Sequence, residues 1–326
     1  MDAFSFIHPN DAAALKSLMA IPGLTALTKK FMSVGYEKMM YGQMLAQTIR
    51  LSSNQLPRIY NHLPPICERL GIPIPELFLL QQPDPNAFTY GDTKIFITVT
   101  SGLVEMASDE ELDAVLAHEC GHILCHHVLY RSLTRFILST FETGILGDVA
   151  ALVSGPLRFA LLYWERMSEL SADRVAAVVT NPDAVIKMMC RLSGGSNNII
   201  SDVNYDEWIN QANEYDQLKK DSKWDKMLQG FLTLGSTHPF SAVRVREIKI
   251  WGESEEFNRA IHLPASGFMS SSNLVCPKCG SILESGWKYC LKCGRPVDNA
   301  QSIKCPSCGC DIRSDSRFCP ECGTKL

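Results

Sequence analysis

The stretch Ala117-His118-Glu119-Cys120-Gly121-His122 limits what this chain can become more than any other. Ser108, with Glu111 three residues on, forms a capping-box signal, so a helix is predicted from Glu110 to near His127 with this stretch in its middle. On a helix His118 and His122 stand one turn apart, their Cβ atoms about 5–6 Å from each other, so both imidazoles can reach one metal ion. Glu119 turns to one side of that ion. Zinc held by two neutral histidines leaves room for a water, and a neighbouring carboxylate can take that water's proton and pass it to a leaving amine. The three positions describe a zinc peptidase centre; the competing description is a solvated helix with two unrelated histidines. Leu112, Ala114, Val115, Leu116, Ala117, Ile123 and Leu124 make the helix apolar on several sides, which points to burial. Buried histidines and a buried glutamate need partners.

Two histidines leave such a site short of the three protein ligands usual for a catalytic zinc. In Arg166-Met167-Ser168-Glu169-Leu170-Ser171-Ala172-Asp173, Glu169 and Asp173 lie one turn apart within an otherwise apolar segment running to Val179. Glu169 is the candidate third ligand, with Asp173 bonded to the far nitrogen of a ligand histidine and setting its tautomer. The same pattern also describes a solvated acidic face paired with Arg166 or Arg174.

Taken in order, Asn86-Ala87-Phe88, Ser101-Gly102-Leu103, Glu110-Glu111-Leu112, Ala114 to His122, Glu169-Leu170-Ser171-Ala172-Asp173 and Thr237-His238-Pro239 resemble a known family. It is the HtpX-like and CAAX-prenyl-protease-like zinc metallopeptidases, metallopeptidase family forty-eight, and the matches span roughly residues 55 to 250. The resemblance implies that His118, His122 and Glu169 hold zinc and that Glu119 is the general base. It implies an α+β fold: a minimal gluzincin (zincin) peptidase domain, mostly helical on a small mixed sheet, with an open cleft. In that family a His-Pro step followed by Arg244 recurs near the cleft, so His238 is expected to donate to the oxyanion, or to bind zinc as a fourth ligand and hold the enzyme latent. Asp173 and Arg244 are expected to support the ligands, and Asn86, Ala87 and Phe88 to contact substrate. Cys120 and Cys125 read as small buried fillers. His126 and His127 read as satisfied structural histidines, with an outer-shell bond to the zinc helix as the alternative.

Many members of that family are integral membrane proteins, and this chain lacks clean spanning segments. Its most apolar run, Gly144 to Trp164, contains Asp148 and Arg158 and is interrupted by Gly155-Pro156, so a buried helix plus a turn is expected, with an interfacial or spanning segment as the alternative. Met1 to Asn10 carries no basic and apolar leader pattern, and a cytoplasmic location, if anything peripheral to a membrane, is expected. A formal net charge of -4 gives no global case for nucleic acid or an anionic membrane.

Residues 1–70 read as N-terminal helices: Ala13, Leu15, Leu18 and Met19 recur at helical spacing, as do Met39, Met40, Met44, Leu45 and Ile49, and the methionines read as a core stripe. Nothing in this stretch looks catalytic. A catalytic core follows at about 71–250, opening with a strand over Glu76–Leu80, then Asn86 to Tyr90, a Gly91-Asp92 turn and a strand over Lys94–Thr100. Placed at a sheet edge above the cleft, that last strand could pair with an extended peptide substrate; placed inside the sheet it could not. Ser193 to Leu234 opens with a loop signal and continues in a charged helical pattern that reveals no function.

The peptidase domain is thus expected over 1–261, a Ser-rich linker over 262–275 and a second module over 276–326. Nine of the thirteen cysteines fall there, eight of them in C-x-x-C pairs: Cys276, Cys279, Cys290 and Cys293 recur as Cys305, Cys308, Cys319 and Cys322, each displaced by the same 29 residues. Glycines follow the thiolate pairs, and four thiolates per half suit a closed tetrahedral zinc site, so the module resembles a double zinc ribbon, with Cys310 left over. One catalytic and two structural zinc ions are expected. Its eight Lys+Arg and five Asp+Glu, set against two zinc-tetrathiolate sites, leave a net charge of about −1. That argues against nucleic acid and for protein binding or substrate recruitment. The leading expectation is a zinc endopeptidase acting on protein or peptide; the alternative is a catalytically silent scaffold whose ribbons bind protein or nucleic acid.

Overall fold

A computed structural model of the chain describes residues 5–24, 27–28, 31, 35–91, 93–143, 155–221, 241–263, 274–275, 282–283, 302–304 and 311–313. Contacts divide the chain into two compact units, Met1–Phe268 and Met269–Leu326.

The first unit begins with α1 (Pro9–Met19), α2 (Tyr36–Gln47), β1 (Ile49–Arg50), α3 (Pro57–Tyr60) and α4 (Leu63–Leu70). Next come β2 (Glu76–Leu80), β3 (Ala87–Tyr90), β4 (Phe96–Thr100), α5 (Ser101–Met106), α6 (Asp109–Leu124) and α7 (Val128–Thr143). It continues with α8 (Gly155–Val179), α9 (Pro182–Gly194), α10 (Asn197–Ile200), α11 (Tyr205–Asp221), α12 (Ser241–Gly252) and α13 (Glu255–Ala260). The sheet is mixed, in the order β1-β2-β4-β3, with β2 and β4 parallel and the other pairs antiparallel.

Every residue of β4 is buried because the strand is internal and covered on both faces. Ile97 and Val99 enter the main core, while Phe96 packs with Phe78, Tyr90 and Met44 on the opposite face. The edge position falls instead to β3, whose only strand partner among the described residues is β4. The alternation of period two in β4 sends successive side chains to opposite faces, so with both faces covered the strand reads as a run of apolar and β-branched residues without polar alternation.

Three local expectations need correction. Ile49 lies in β1, drawn out of the helix by antiparallel pairing with Leu79. The methionine stripe is narrower than its spacing suggested: Met44 is buried, but Met39 and Leu45 are 59% and 49% exposed. On α1 the inward face is Asp11, Ala14, Leu15 and Leu18, while Ala13 and Met19 point outward. Most of the Gly144 to Trp164 run lies outside the described residues; its end belongs to α8, in which Gly155-Pro156 opens the helix rather than breaking it, as proline in a first turn allows. No helix among the described residues is long and apolar enough to cross a membrane.

In the second unit β5 (Leu274–Val275) pairs with β6 (Ile282–Leu283) and β7 (Ser302–Lys304) with β8 (Asp311–Arg313), both antiparallel. The second hairpin repeats the first at the 29-residue offset, and each spans a C-x-x-C in sequence. The eight cysteines themselves lie outside the described residues.

Candidate metal centre

Helix α6 is set by its start. Ser108 accepts from the Glu111 N–H and the Glu111 carboxylate accepts from the Ser108 N–H, the reciprocal capping box the sequence announced. Arg191 of α9 then grips the buried Glu111 through Nε and Nη2, so the helix is pinned as well as capped. Its flank lies against α8 at Gly121, where a Cβ would come within 3.0 Å of the Ala172 Cα. That absence of a side chain lets the helix bearing His118 and His122 approach the helix bearing Glu169.

At the approach, His118 Nε2 and His122 Nε2 are 3.2 Å apart, Glu169 Oε2 is 3.4 Å from His118 Nε2, and Glu169 Oε1 is 3.3 Å from His122 Nε2. Glu169 and His122 are fully buried and His118 nearly so. Each imidazole nitrogen faces a different oxygen of the Glu169 carboxylate, and one donor atom from each of the three residues lies within 4.8 Å of the others, so the three side chains converge on one point that a zinc ion with bonds of about 2.0–2.2 Å could share. Among the described residues this is the one cluster of histidine, cysteine and carboxylate groups with that convergence.

The protonation of the cluster tells the same story. Burial works against a charged His118, but hydrogen bonds to Asp173 and Glu169 and their negative charges outweigh it and push the imidazole up to about 9. The two carboxylates favour positive charge at this point. His122 is held well below the ordinary histidine value by burial and by the Arg131 charge, hence neutral, as a ligand must be.

Asp173 Oδ1 lies 2.9 Å from His118 Nδ1, leaving Nε2 to face the other donors. Asp173 is itself clamped by Arg244, which donates from Nε at 2.8 Å and from Nη2 at 2.6 Å. Burial raises the Asp173 carboxyl, but the Arg244 charge and its hydrogen bonds prevail and hold it below the usual carboxylate range. Glu169 accepts from Arg131 Nη1 and lies 3.3 Å from Arg244 Nη1, so two guanidinium groups fix the carboxylate. Glu119, beside His118 on α6, accepts at 2.6 Å from the Thr89 hydroxyl of edge strand β3. The solvated-face description of Glu169 and Asp173 is therefore wrong: both are fully buried, and Arg131 and Arg244 pair with them.

The model of peptidase family M48 matches residues 52–252, and the double zinc ribbon model matches residues 276–323. The plastoglobule-localized metallopeptidase 48, chloroplastic, of Arabidopsis thaliana is 33% identical over 261 residues, spanning 79% of this chain and 75% of its own. The chain belongs to peptidase family M48. The protease HtpX homolog of Tropheryma whipplei (strain TW08/27) is 28% identical over 235 residues, 62% of this chain and 75% of that relative. The crystal structure of S. mikatae Ste24p covers 75% of this chain and 61% of its own at 16% identity, with a TM-score of 0.37. The protein is thus a zinc metallopeptidase: an M48 domain of helices around a small four-stranded mixed sheet, and a double zinc ribbon after it.

Within the M48 domain the structure brings His118, Glu119, His122, Glu169, Asp173 and Arg244 together. Asn86 is exposed, with Ala87 and Phe88 following it on the edge strand, and Arg135 lies over the Phe88 ring at 5.1 Å. His238 lies outside the described residues. Cys120 and Cys125 are buried, and Cys120 Sγ is 3.9 Å from Cys67 Sγ, as apolar fillers would be. Sequence reading missed Arg131 and Thr89, which sit 38 and 30 residues from the groups they contact and carry no local signal. It also undervalued His127, whose Nδ1 is 3.0 Å from His122 Nδ1.

Proposed function

We propose that this M48 protein is an endopeptidase in which His118, His122 and Glu169 hold the catalytic zinc and Glu119 is the general base. The observation that carries the reading is the convergence of His118 Nε2, His122 Nε2 and the two Glu169 oxygens, with facing atoms 3.2–3.4 Å apart, built from two neighbouring turns of one helix and one residue of another. Zinc bound there supplies Lewis acidity, acidifying a water and polarising a carbonyl. The residues do the rest. Glu119, one position after His118, takes a proton from the attacking water and returns it to the leaving nitrogen. Thr89 holds that carboxylate on the side of the edge strand, while Asp173 and Arg244 keep His118 in the tautomer that offers Nε2.

The edge of β3 that pairs with no strand among the described residues supports an extended substrate: a peptide added there would run beside the strand that positions Glu119, and Asn86, Ala87 and Phe88 would meet it. His238 is assigned to the developing oxyanion. The ribbons, with two structural zincs on their eight cysteines, are assigned to protein recruitment on the grounds of their near-neutral charge. The four buried cysteines of the first unit, none of them in a disulfide, suit a reducing compartment such as the cytoplasm.

Glu119→Gln tests the reading. Cleavage of unstructured casein should fall by about 10²–10⁴-fold while the zinc content stays the same. Cleavage at the wild-type rate would remove Glu119 from the role of base.

A further inference from the structure

The inward face of α1 carries one acid. Asp11 sits on the stripe with Ala14, Leu15 and Leu18 and is 2% exposed, a position that would be costly without partners. It has them. Its Oδ2 accepts from the Ser171 hydroxyl at 2.6 Å and lies 3.0 Å from Nε2 of His127. Ser171 falls between Glu169 and Asp173 on α8 and also accepts the His8 N–H at 2.9 Å, so the start of α1 is fastened to the helix that supplies the third donor.

His127 is aimed by the way α6 ends. The helix stops at Leu124, short of the predicted His127, with His126 in the left-handed region at φ 58°. The His126 N–H then bonds to Ile123 O and the His127 N–H to Leu124's neighbour two residues back, His122 O, at 2.9 Å; this is the Schellman pattern, which folds the chain back on its last turn. The His127 ring consequently meets the His122 ring, and the Trp164 ring packs edge-on against it at 5.7 Å.

A proton count fixes the direction of this chain of bonds. The 3.0 Å between His122 Nδ1 and His127 Nδ1 holds one proton. If it belongs to His122, that ring is neutral with a free pair on Nε2, facing His118 and Glu169. His127 then accepts on Nδ1, carries its own proton on Nε2 and donates to Asp11, which as a carboxylate can only accept. With the proton on His127 Nδ1 instead, a neutral His122 would carry its hydrogen on Nε2 and could not ligate.

We propose that Asp11 is a positioning residue of the metal centre: acting through His127, it selects the His122 tautomer that presents Nε2 to the metal. The proposal rests on the ligand assignment above. It extends the centre into the N-terminal helix, upstream of residues 52–252, where the family model matches.

The test is zinc retained by the full chain after equilibration against graded chelator, read by metal analysis, with the His118→Ala/His122→Ala double variant as the blank for the ribbon sites. Outer-shell partners of a ligand histidine change metal affinity by about 10–100-fold, so Asp11→Ala and His127→Ala should each weaken the difference signal by about tenfold. Asp11→Asn, which keeps an acceptor but not the charge, should fall between Asp11→Ala and wild type. The Asp11→Ala/His127→Ala double variant should be no weaker than His127→Ala alone. Wild-type affinity in Asp11→Ala, or losses that multiply in the double variant, would overturn the relay, since a helix tether of purely structural value would lower stability without this coupling. Should Asp11→Ala fail to fold, the same cycle is read with Asp11→Asn. A blank that retains as much zinc as wild type would overturn the ligand assignment and the relay with it.

Discussion

Replacing Asp173 with asparagine removes one negative charge and almost no volume from the carboxylate that joins His118 to Arg244. The side chain is fully buried and takes three bonds, two from Arg244 and one from His118. An amide has one accepting oxygen, so its NH2 must face a donor that the carboxylate now satisfies. Whichever way it turns, Arg244 loses half of its clamp, and Glu169, at 3.3 Å, remains as an ion-pair partner. Breaking a buried pair by removing one charge costs about 3–5 kcal/mol, and the retained amide bond brings the expected loss to the lower part of that range, about 3 kcal/mol. The His118 tautomer is also freed, which should weaken zinc by about 10–100-fold. Urea unfolding of the metal-depleted variant measures the first quantity and chelator competition the second, and the two should be separable because only the second depends on zinc. A variant that unfolds within 1 kcal/mol of wild type and binds zinc equally well would refute the claim that Asp173 joins the ligand to the Arg244 clamp.

Three further outcomes are expected. Thr89→Val deletes the hydroxyl that holds Glu119 and should lower kcat by about tenfold, equivalent to 1.4 kcal/mol, with KM unchanged and Thr89→Ser restoring the rate; an unaltered kcat in steady-state peptide cleavage would rule out positioning by the edge strand. His126→Gly relieves a left-handed residue at the end of α6 and should raise stability by about 0.5–1 kcal/mol in the same urea assay, whereas a loss would show that the His126 side chain matters more than its backbone. In the metal-free chain His118 is pushed up to about 9, so below that pH zinc must displace a proton. Apparent zinc affinity should therefore rise by about tenfold per pH unit from neutrality toward pH 9 and flatten above it; a flat profile by chelator competition would mean that His118 is already neutral.

The parts of the centre written locally could be read from the sequence, and the parts assembled across the fold could not. The capping box, the pair His118 and His122, and the pair Glu169 and Asp173 each occupy a single helix, where a spacing of three or four residues already states the geometry. Glu76–Leu80 was legible as a strand for the same local reason. Arg131, by contrast, reaches Glu169 from another helix, and Thr89 reaches Glu119 from a strand; nothing near either residue marks it. The order of the strands was also beyond local reading, because β3 and β4 are both apolar and only the crossover from β2 to β4 decides which is the edge. Asp11 is the instructive case. It sits in phase with Ala14, Leu15 and Leu18, and an acid on an apolar helical stripe is itself a sign of a buried partner. A stripe of Ala13, Leu15, Leu18 and Met19 is in phase only at Leu15 and Leu18, and leaves Asp11 and Ala14 out of the inward face.

Anomalous scattering at the zinc edge from crystals of the zinc-loaded full chain tests the account most directly. The account predicts one strong peak in the M48 domain, about 2.0–2.2 Å from His118 Nε2, His122 Nε2 and one Glu169 oxygen. A peak bonded to other side chains, or none in that domain while Arg131 and Arg244 still close on Glu169, would contradict it.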